Sequence, residues 1–146
     1  MGIIDIKDIE KAKLAIRKEP KPIIIAGQDE LFNRKLLEYG KFDILLSPER
    51  GMRNDGIKWL SSGMNEIMGR IAKKNKIKIG INLKEIRCLE KKEKAVRIAR
   101  IRQNIKLCRK TGVKMTVVGD CNTRNALGLL MSLGASSNQA KEAISF

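Results

Sequence analysis

Apolar residues along the chain alternate between two spacings. Short runs rich in β-branched residues predict four strands: PIIIA at 22–26, FDILLS at 42–47, IKIGINL at 77–83 and VKMTVV at 113–118. Between and around them, apolar residues recur three or four apart. That period predicts helices over 5–18, 29–39, 63–74, 89–110, 125–133 and 137–144. The punctuation agrees with this division. Pro20 and Pro22 stop the first helix, Gly40 closes the second, and Gly112 and Gly134 close two later ones. Met64, Ile67, Met68 and Ile71 mark an inner face for the helix over 63–74. Ser136 and Gln139 have the spacing of a capping box ahead of the last helix. Residues 49–62 read as a polar loop carrying the sole tryptophan, Trp59. Alternating strands and helices imply an α/β fold with parallel pairing, either an open doubly wound sheet or part of a (β/α) barrel. With no linker-like stretch, residues 1–146 are expected to form one (β/α) domain.

The helix over 89–110 changes this picture from architecture to function. Ile98, Ile101, Ile105 and Cys108 fall on one arc of the helix and should face a core. Lys91, Lys92, Arg102, Lys106, Arg109 and Lys110 fall on an adjoining arc of about 100°. Lys94 would land on the apolar arc, so burial should begin only after it. Between Arg70 and Lys114 there are 17 Lys and Arg residues against three acids, a net charge of +14. The whole chain carries +15, so the rest is nearly neutral. A merely soluble surface would intersperse Glu among the cations, and here only Glu85, Glu90 and Glu93 occur. The concentration is the footprint of a protein that meets a polyanion.

Composition then removes several classes of chemistry. The chain has no histidine, which excludes histidine-dependent triads and histidine-ligated zinc hydrolases. Aromatic residues make up 3%, so stacking on bases is not the expected mode of binding, and phosphates and shape are. Cys88, Cys108 and Cys121 are odd in number and widely spaced, fitting neither a disulfide framework nor a zinc site. A reducing cytoplasm is the expected setting. No apolar run reaches the roughly 18 residues of a membrane span. No phosphate-loop or dinucleotide fingerprint is present. Ser47 and Cys121 lack a basic neighbour in sequence that would activate them.

Two weaker constellations remain. Glu49, Glu85 and Asp120 follow predicted strands, at the end of an α/β sheet where sites collect. Glu49, Asp55 and Asp120 would be the residues of a magnesium site, although capping of helices and solvation of loops explain them better. Arg50 and Arg53, after the second predicted strand, have the forked donors suited to phosphate on the same face.

The order of several short motifs resembles archaeal ribonuclease P protein component 3. The segments are LLSPE at 45–49, SGMNEIMGRIA at 62–72, KIKIGINL at 76–83, RIARIRQNIKLCRK at 97–110, LGA at 133–135 and QAKEAIS at 139–145. Asn65 and Glu66 stand where the family has Asp-His, and the loop over 50–61 is long for it. Family members also carry further strands before the one placed at Ile23. The chain thus looks like a fragment, a shortened version, or a barrel completed by a partner. The resemblance implies a TIM-barrel-like (β/α) domain related to the PHP phosphoesterase fold, incomplete, with four parallel strands and flanking helices.

It also implies a protein subunit of ribonuclease P, which removes the 5′ leader from precursor tRNA. Chemistry in that complex belongs to the RNA and its magnesium ions, so no cofactor, metal or catalytic residue is expected in this chain. Implied partners are the RNase P RNA, the ferredoxin-like protein component 2 and, indirectly, precursor tRNA. The basic flank of the long helix, with Arg50 and Arg53, is the expected RNA-binding set. Open sheet edges would favour a partner or self-association. The alternatives are a metal-dependent phosphoesterase on a barrel-like fold and a basic scaffold that docks on an acidic protein.

Overall fold

The computed structural model describes residues 2–50, 62–119 and 122–144. Its elements are β1 (Ile3–Ile4), α1 (Ile9–Lys18), β2 (Ile24–Ala26), α2 (Glu30–Tyr39), β3 (Ile44–Leu46) and α3 (Glu66–Lys74). They continue with β4 (Lys78–Ile81), α4 (Leu83–Arg87), α5 (Lys91–Thr111), β5 (Met115–Val117), α6 (Thr123–Ser132) and α7 (Ser137–Ile144). The strands form one parallel sheet of five in the order β1-β2-β3-β4-β5.

This order decides between the two architectures that periodicity left open. A doubly wound sheet reverses its strand order and carries helices on both faces. Here every connection steps to the next strand in the same direction, so right-handed crossovers place all the helices on one face. The register shows which face that is. Ile4, Ile25, Leu45, Ile79 and Met115 lie side by side across all five strands. They join one core cluster with Leu36 and Leu37 of α2, Met68 of α3, Ile101 and Ile105 of α5 and Ala140 of α7. The alternate residues Ile24, Ile44 and Leu46 form a separate small cluster on the opposite face. This is the winding of a TIM-like (β/α) barrel.

Local chemistry fixes the helix starts. Asp8, Asp29, Asn65, Asn82 and Asn122 each accept from first-turn N–H groups of the helix they precede, a cap worth about 1 kcal/mol each. The capping box forms as expected: the Ser136 Oγ accepts from the Gln139 N–H, and the Gln139 carboxamide oxygen accepts from the Ser136 N–H. Gly112 ends α5 at φ 80° and its N–H donates to the Cys108 carbonyl, a left-handed cap that favours glycine.

Several expectations are corrected. Among the described residues there are five strands rather than four, because Ile3 and Ile4 pair with Ile24 and Ile25 ahead of the strand expected to be first. The first helix begins at Ile9, not at residue 5. The strand expected over 77–83 ends at Ile81, and Asn82 instead caps α4. The helix expected from residue 63 begins at Glu66, which turns Ile67 outward and leaves it 57% exposed. Glu49 and Ser62, the ends of the expected polar loop, are buried. Trp59 lies outside the described residues.

Candidate nucleic-acid interface

α5 has 21 residues and is therefore about 31 Å long. Its inner side carries Arg97, Arg100, Ile101, Asn104, Ile105 and Cys108, all buried. Lys94 is half-buried and full burial begins at Arg97, as its position on the apolar arc led us to expect. The helix is clamped on both flanks. On one, Lys110 meets Glu66 of α3 at 3.1 Å. On the other, Gln139 of α7 donates to the Ile105 carbonyl at 3.1 Å.

Lys91, Lys92, Arg102, Lys106, Arg109 and Lys110 are all exposed. At about 100° per residue they project within one arc, opposite the buried side. Among the described residues, Lys91, Lys92, Arg102 and Lys106 form no ion pair. The two at the carboxyl end of the helix do have partners. Arg109 donates to the Gly134 carbonyl at 2.8 Å. The Glu66 carboxylate, held below its usual range first by Lys110 and then by Arg70, takes Lys110.

The buried cations on the inner side are treated differently. Arg97 reaches across the carboxyl ends of β3 and β4, donating to Glu49 at 3.2 Å and to Glu85 at 3.0 Å. The Arg97 and Glu49 side chains are only 8% and 2% exposed, so each charge is tolerated because of the other. Glu49 is therefore held by an arginine rather than open to a metal ion. Asp55 and Asp120, the other residues of the magnesium set considered from sequence, lie outside the described residues, as does Arg53. Among the described residues no three His, Cys, Asp or Glu side chains come together as a metal site would require.

Arg50 has a partner as well. Its Nη2 and Nη1 donate to the two oxygens of Asp5, at 2.7 and 3.1 Å. That fork holds the Asp5 carboxyl below its ordinary range and raises Arg50 above its own. Arg50, expected from sequence to meet phosphate, is paired with Asp5 in this structure. It lines a cavity of about 420 Å³ with Leu89, Lys92, Glu93, Val96, Arg97 and Arg100. With Asp5, Glu49 and Glu85 beside these cations, the cavity is close to charge-balanced. Cys108 is buried, and burial pushes its thiol up to about 12, so it is not a nucleophile at neutral pH.

The carboxyl edge is shaped by a residue that sequence reasoning missed. Asn33 is fully buried in α2, and its carboxamide donates to the carbonyls of Pro48 and Gly63, both at 3.1 Å. Its oxygen accepts from the Gln28 N–H. It ties the ends of β2 and β3 to the start of α3, which sets Glu49 where Arg97 can reach it.

No protein-family model matches the chain. Four curated proteins do, all named ribonuclease P protein component 3. That of Methanocaldococcus jannaschii is 28% identical over 102 residues, 70% of this chain and 41% of its own length. That of Methanosarcina acetivorans is 27% identical over 130 residues, 84% of this chain and 51% of its own. That of Methanococcus vannielii is 24% identical over 115 residues, 79% and 47% respectively. The chain spans about half the length of the curated relatives it matches. A chain in the cryo-EM structure of archaeal ribonuclease P with mature tRNA superposes with a TM-score of 0.79, at 22% identity. The alignment covers 97% of this chain and 62% of that one. In sequence the chain is similar to ribonuclease P protein component 3, and in the winding of its strands and helices to a chain of archaeal ribonuclease P.

Proposed function

We propose that this chain acts as a protein subunit of ribonuclease P in the cytoplasm, laying the outer face of α5 against the RNase P RNA. In this reading the RNA and its magnesium ions cleave the 5′ leader from precursor tRNA. The protein supplies no catalytic residue or cofactor and stabilises the RNA fold together with protein component 2. The observation that carries the reading is the division of charge on α5. Arg97, one of two arginines buried beneath the helix, is met by acids, while Lys91, Lys92, Arg102 and Lys106 stand exposed on one arc with no acid partner among the described residues. Such a row is suited to phosphates along a strand or across a groove.

Binding of RNase P RNA, measured by filter retention against salt, tests the proposal. With about 4–6 phosphates neutralised, log K should fall against log salt with a slope of about −3 to −5. Reversing Arg102 and Lys106 to Glu should reduce that slope by about 2. Stability should stay within about 1 kcal/mol of wild type, since both side chains are exposed and unpaired among the described residues. Reconstituted precursor tRNA cleavage should fall in parallel. Unchanged affinity in the Arg102→Glu/Lys106→Glu protein would overturn the assignment of this face.

A further inference from the structure

The opposite end of the sheet carries a second concentration of charge that no expectation from sequence included. A cavity of about 390 Å³ opens there, lined by Lys73, Lys76, Ile77, Lys78, Gly112, Val113 and Lys114. It gathers four lysines and no acid among its described lining residues. Three elements bring them together: the carboxyl end of α3, the first residue of β4 and the approach to β5. Lys73, Lys76 and Lys114 are exposed and make no ion pair among the described residues; Lys78 is half-buried. Asp43, on the chain leading into β3, is the acid beside them: its carbonyl accepts from the Lys78 N–H at 2.9 Å and its carboxylate from the Ile23 N–H at 2.7 Å.

Ordinary structural roles account for only part of this. Lys73 lies in the last turn of α3, where a cation complements the helix dipole. That reason does not extend to Lys78 and Lys114. Each sits one residue before the paired Ile79 and Met115 on adjacent parallel strands, on the same face of the sheet and about 5 Å apart between strands. Lys76 is stranger still. It follows the C-cap Asn75, and its φ is +58°, the left-handed position at which helices normally place glycine. A lysine is kept where its backbone is strained and its charge adds to an already crowded cluster. Strain retained at a charged opening is a pointer to ligand binding.

We infer that this cavity is a phosphate-binding site that takes backbone phosphates of RNA, continuing the α5 row past its carboxyl end. Gly112, the cap of α5, is itself part of the cavity wall, and Lys73 Nζ lies only 2.7 Å from where a Cβ on it would sit. Arg109 and Lys110 close the last turn just before it. The α5 row and the lysine cavity together make one basic track from the carboxyl edge of the sheet to its amino edge. The inference rests on the RNA-binding reading above and adds a second contact region to it.

The decisive variant is Lys76→Gly with Lys114→Gln, assayed in the full chain beside Arg102→Glu/Lys106→Glu. Glycine relieves the left-handed strain at position 76, so the melting temperature should hold or rise, which separates binding from folding. RNase P RNA binding should weaken, and the salt slope should flatten by about 1 for each lysine removed. For two, the wild-type advantage should shrink about 16-fold between 50 and 200 mM salt. Wild-type affinity and slope in the Lys76→Gly/Lys114→Gln protein, with the α5 variant impaired, would overturn the cavity site and leave the α5 reading standing. Wild-type slopes in both variants would overturn both. Calorimetry with inorganic pyrophosphate supplies the remaining arm. Pyrophosphate binding that the Lys76→Gly/Lys114→Gln change abolishes, without any effect on RNA, would assign the cavity to a small phosphate ligand and overturn the RNA claim.

Discussion

Replacing Arg97 by methionine should be among the most damaging single changes in α5, for an electrostatic rather than a hydrophobic reason. Methionine fills much of the same volume and suits a helix. What it removes is the guanidinium that bridges Glu49 and Glu85. Glu85 keeps about a third of its side chain in water, but the Glu49 side chain is only 2% exposed and would lose a charged partner at 3.2 Å. Breaking a buried pair in this way costs about 3–5 kcal/mol. Unfolding entropy is roughly 2.1 cal/mol/K per residue, or about 0.3 kcal/mol/K over the 146 residues. The melting temperature should therefore drop by roughly 10–16 °C. Adding Glu49→Gln removes the buried negative charge, so the double variant should recover a substantial part of the loss. Calorimetry or urea unfolding of wild type, both single variants and the double closes the cycle. RNA affinity measured well below the transition should not change, because Arg97 faces inward. An Arg97→Met protein within about 1 kcal/mol of wild type, or a double variant no better than the single, would refute the view that this triad carries buried charge.

Two further outcomes follow from the carboxyl edge. A Cβ on Gly27 would lie 2.6 Å from Pro48 Cα and 3.0 Å from the Ser47 carbonyl, both backbone atoms that cannot swing aside. Gly27→Ala should cost about 1–3 kcal/mol in urea unfolding, and a neutral result would contradict the close approach of β2 and β3. The Asp5–Arg50 fork has a pH signature. Because Arg50 lowers the Asp5 carboxyl below 3.8 in the folded chain, its contribution is fully present above pH 3.8 and is lost as pH falls through the lowered value. Asp5 is half exposed, so the amount is about 1 kcal/mol or less after screening. Asp5→Asn should remove that acid-side slope without altering stability differences measured between pH 6 and 8.

The elements legible from sequence were those whose periodicity runs long enough to override local ambiguity. α5 shows three full turns of apolar stripe and ends at a glycine, and the structure places its inner and outer faces as the spacing predicts. β1 could not be read: two isoleucines carry no period, and only their pairing with Ile24 and Ile25 makes them a strand. α4 was absorbed into the preceding strand because Leu83 continues its alternation. Asn82 and Glu85 nevertheless have the spacing of a helix start, and Asn82 does accept from the Glu85 N–H. The buried polar residues left a fainter trace. Arg97 and Asn104 fall on the same side of the helix as Ile101, Ile105 and Cys108, and Asn33 sits within the apolar stripe of α2. A polar side chain on a core-facing arc implies a buried partner. Its identity comes from loops and strand ends distant in sequence, which periodicity does not encode.

The same reasoning separates a binding surface from a basic composition. A helix with this many cations could have distributed them evenly and balanced each with a nearby acid, as a soluble surface does. α5 instead sorts them by depth. Arg97, one of two arginines buried under it, meets Glu49 from the segment after β3 and Glu85 of α4. Among the described residues, the acid paired with its outer arc is Glu66, at the last turn. Leaving Lys91, Lys92, Arg102 and Lys106 without an ion pair among the described residues raises the positive potential on that side of the fold, a self-repulsion that a polyanion would relieve. Each phosphate such a row meets releases condensed counterions, so its binding should be strongly sensitive to salt. That dependence distinguishes a phosphate-reading face from a merely basic composition, and a salt titration reads it directly.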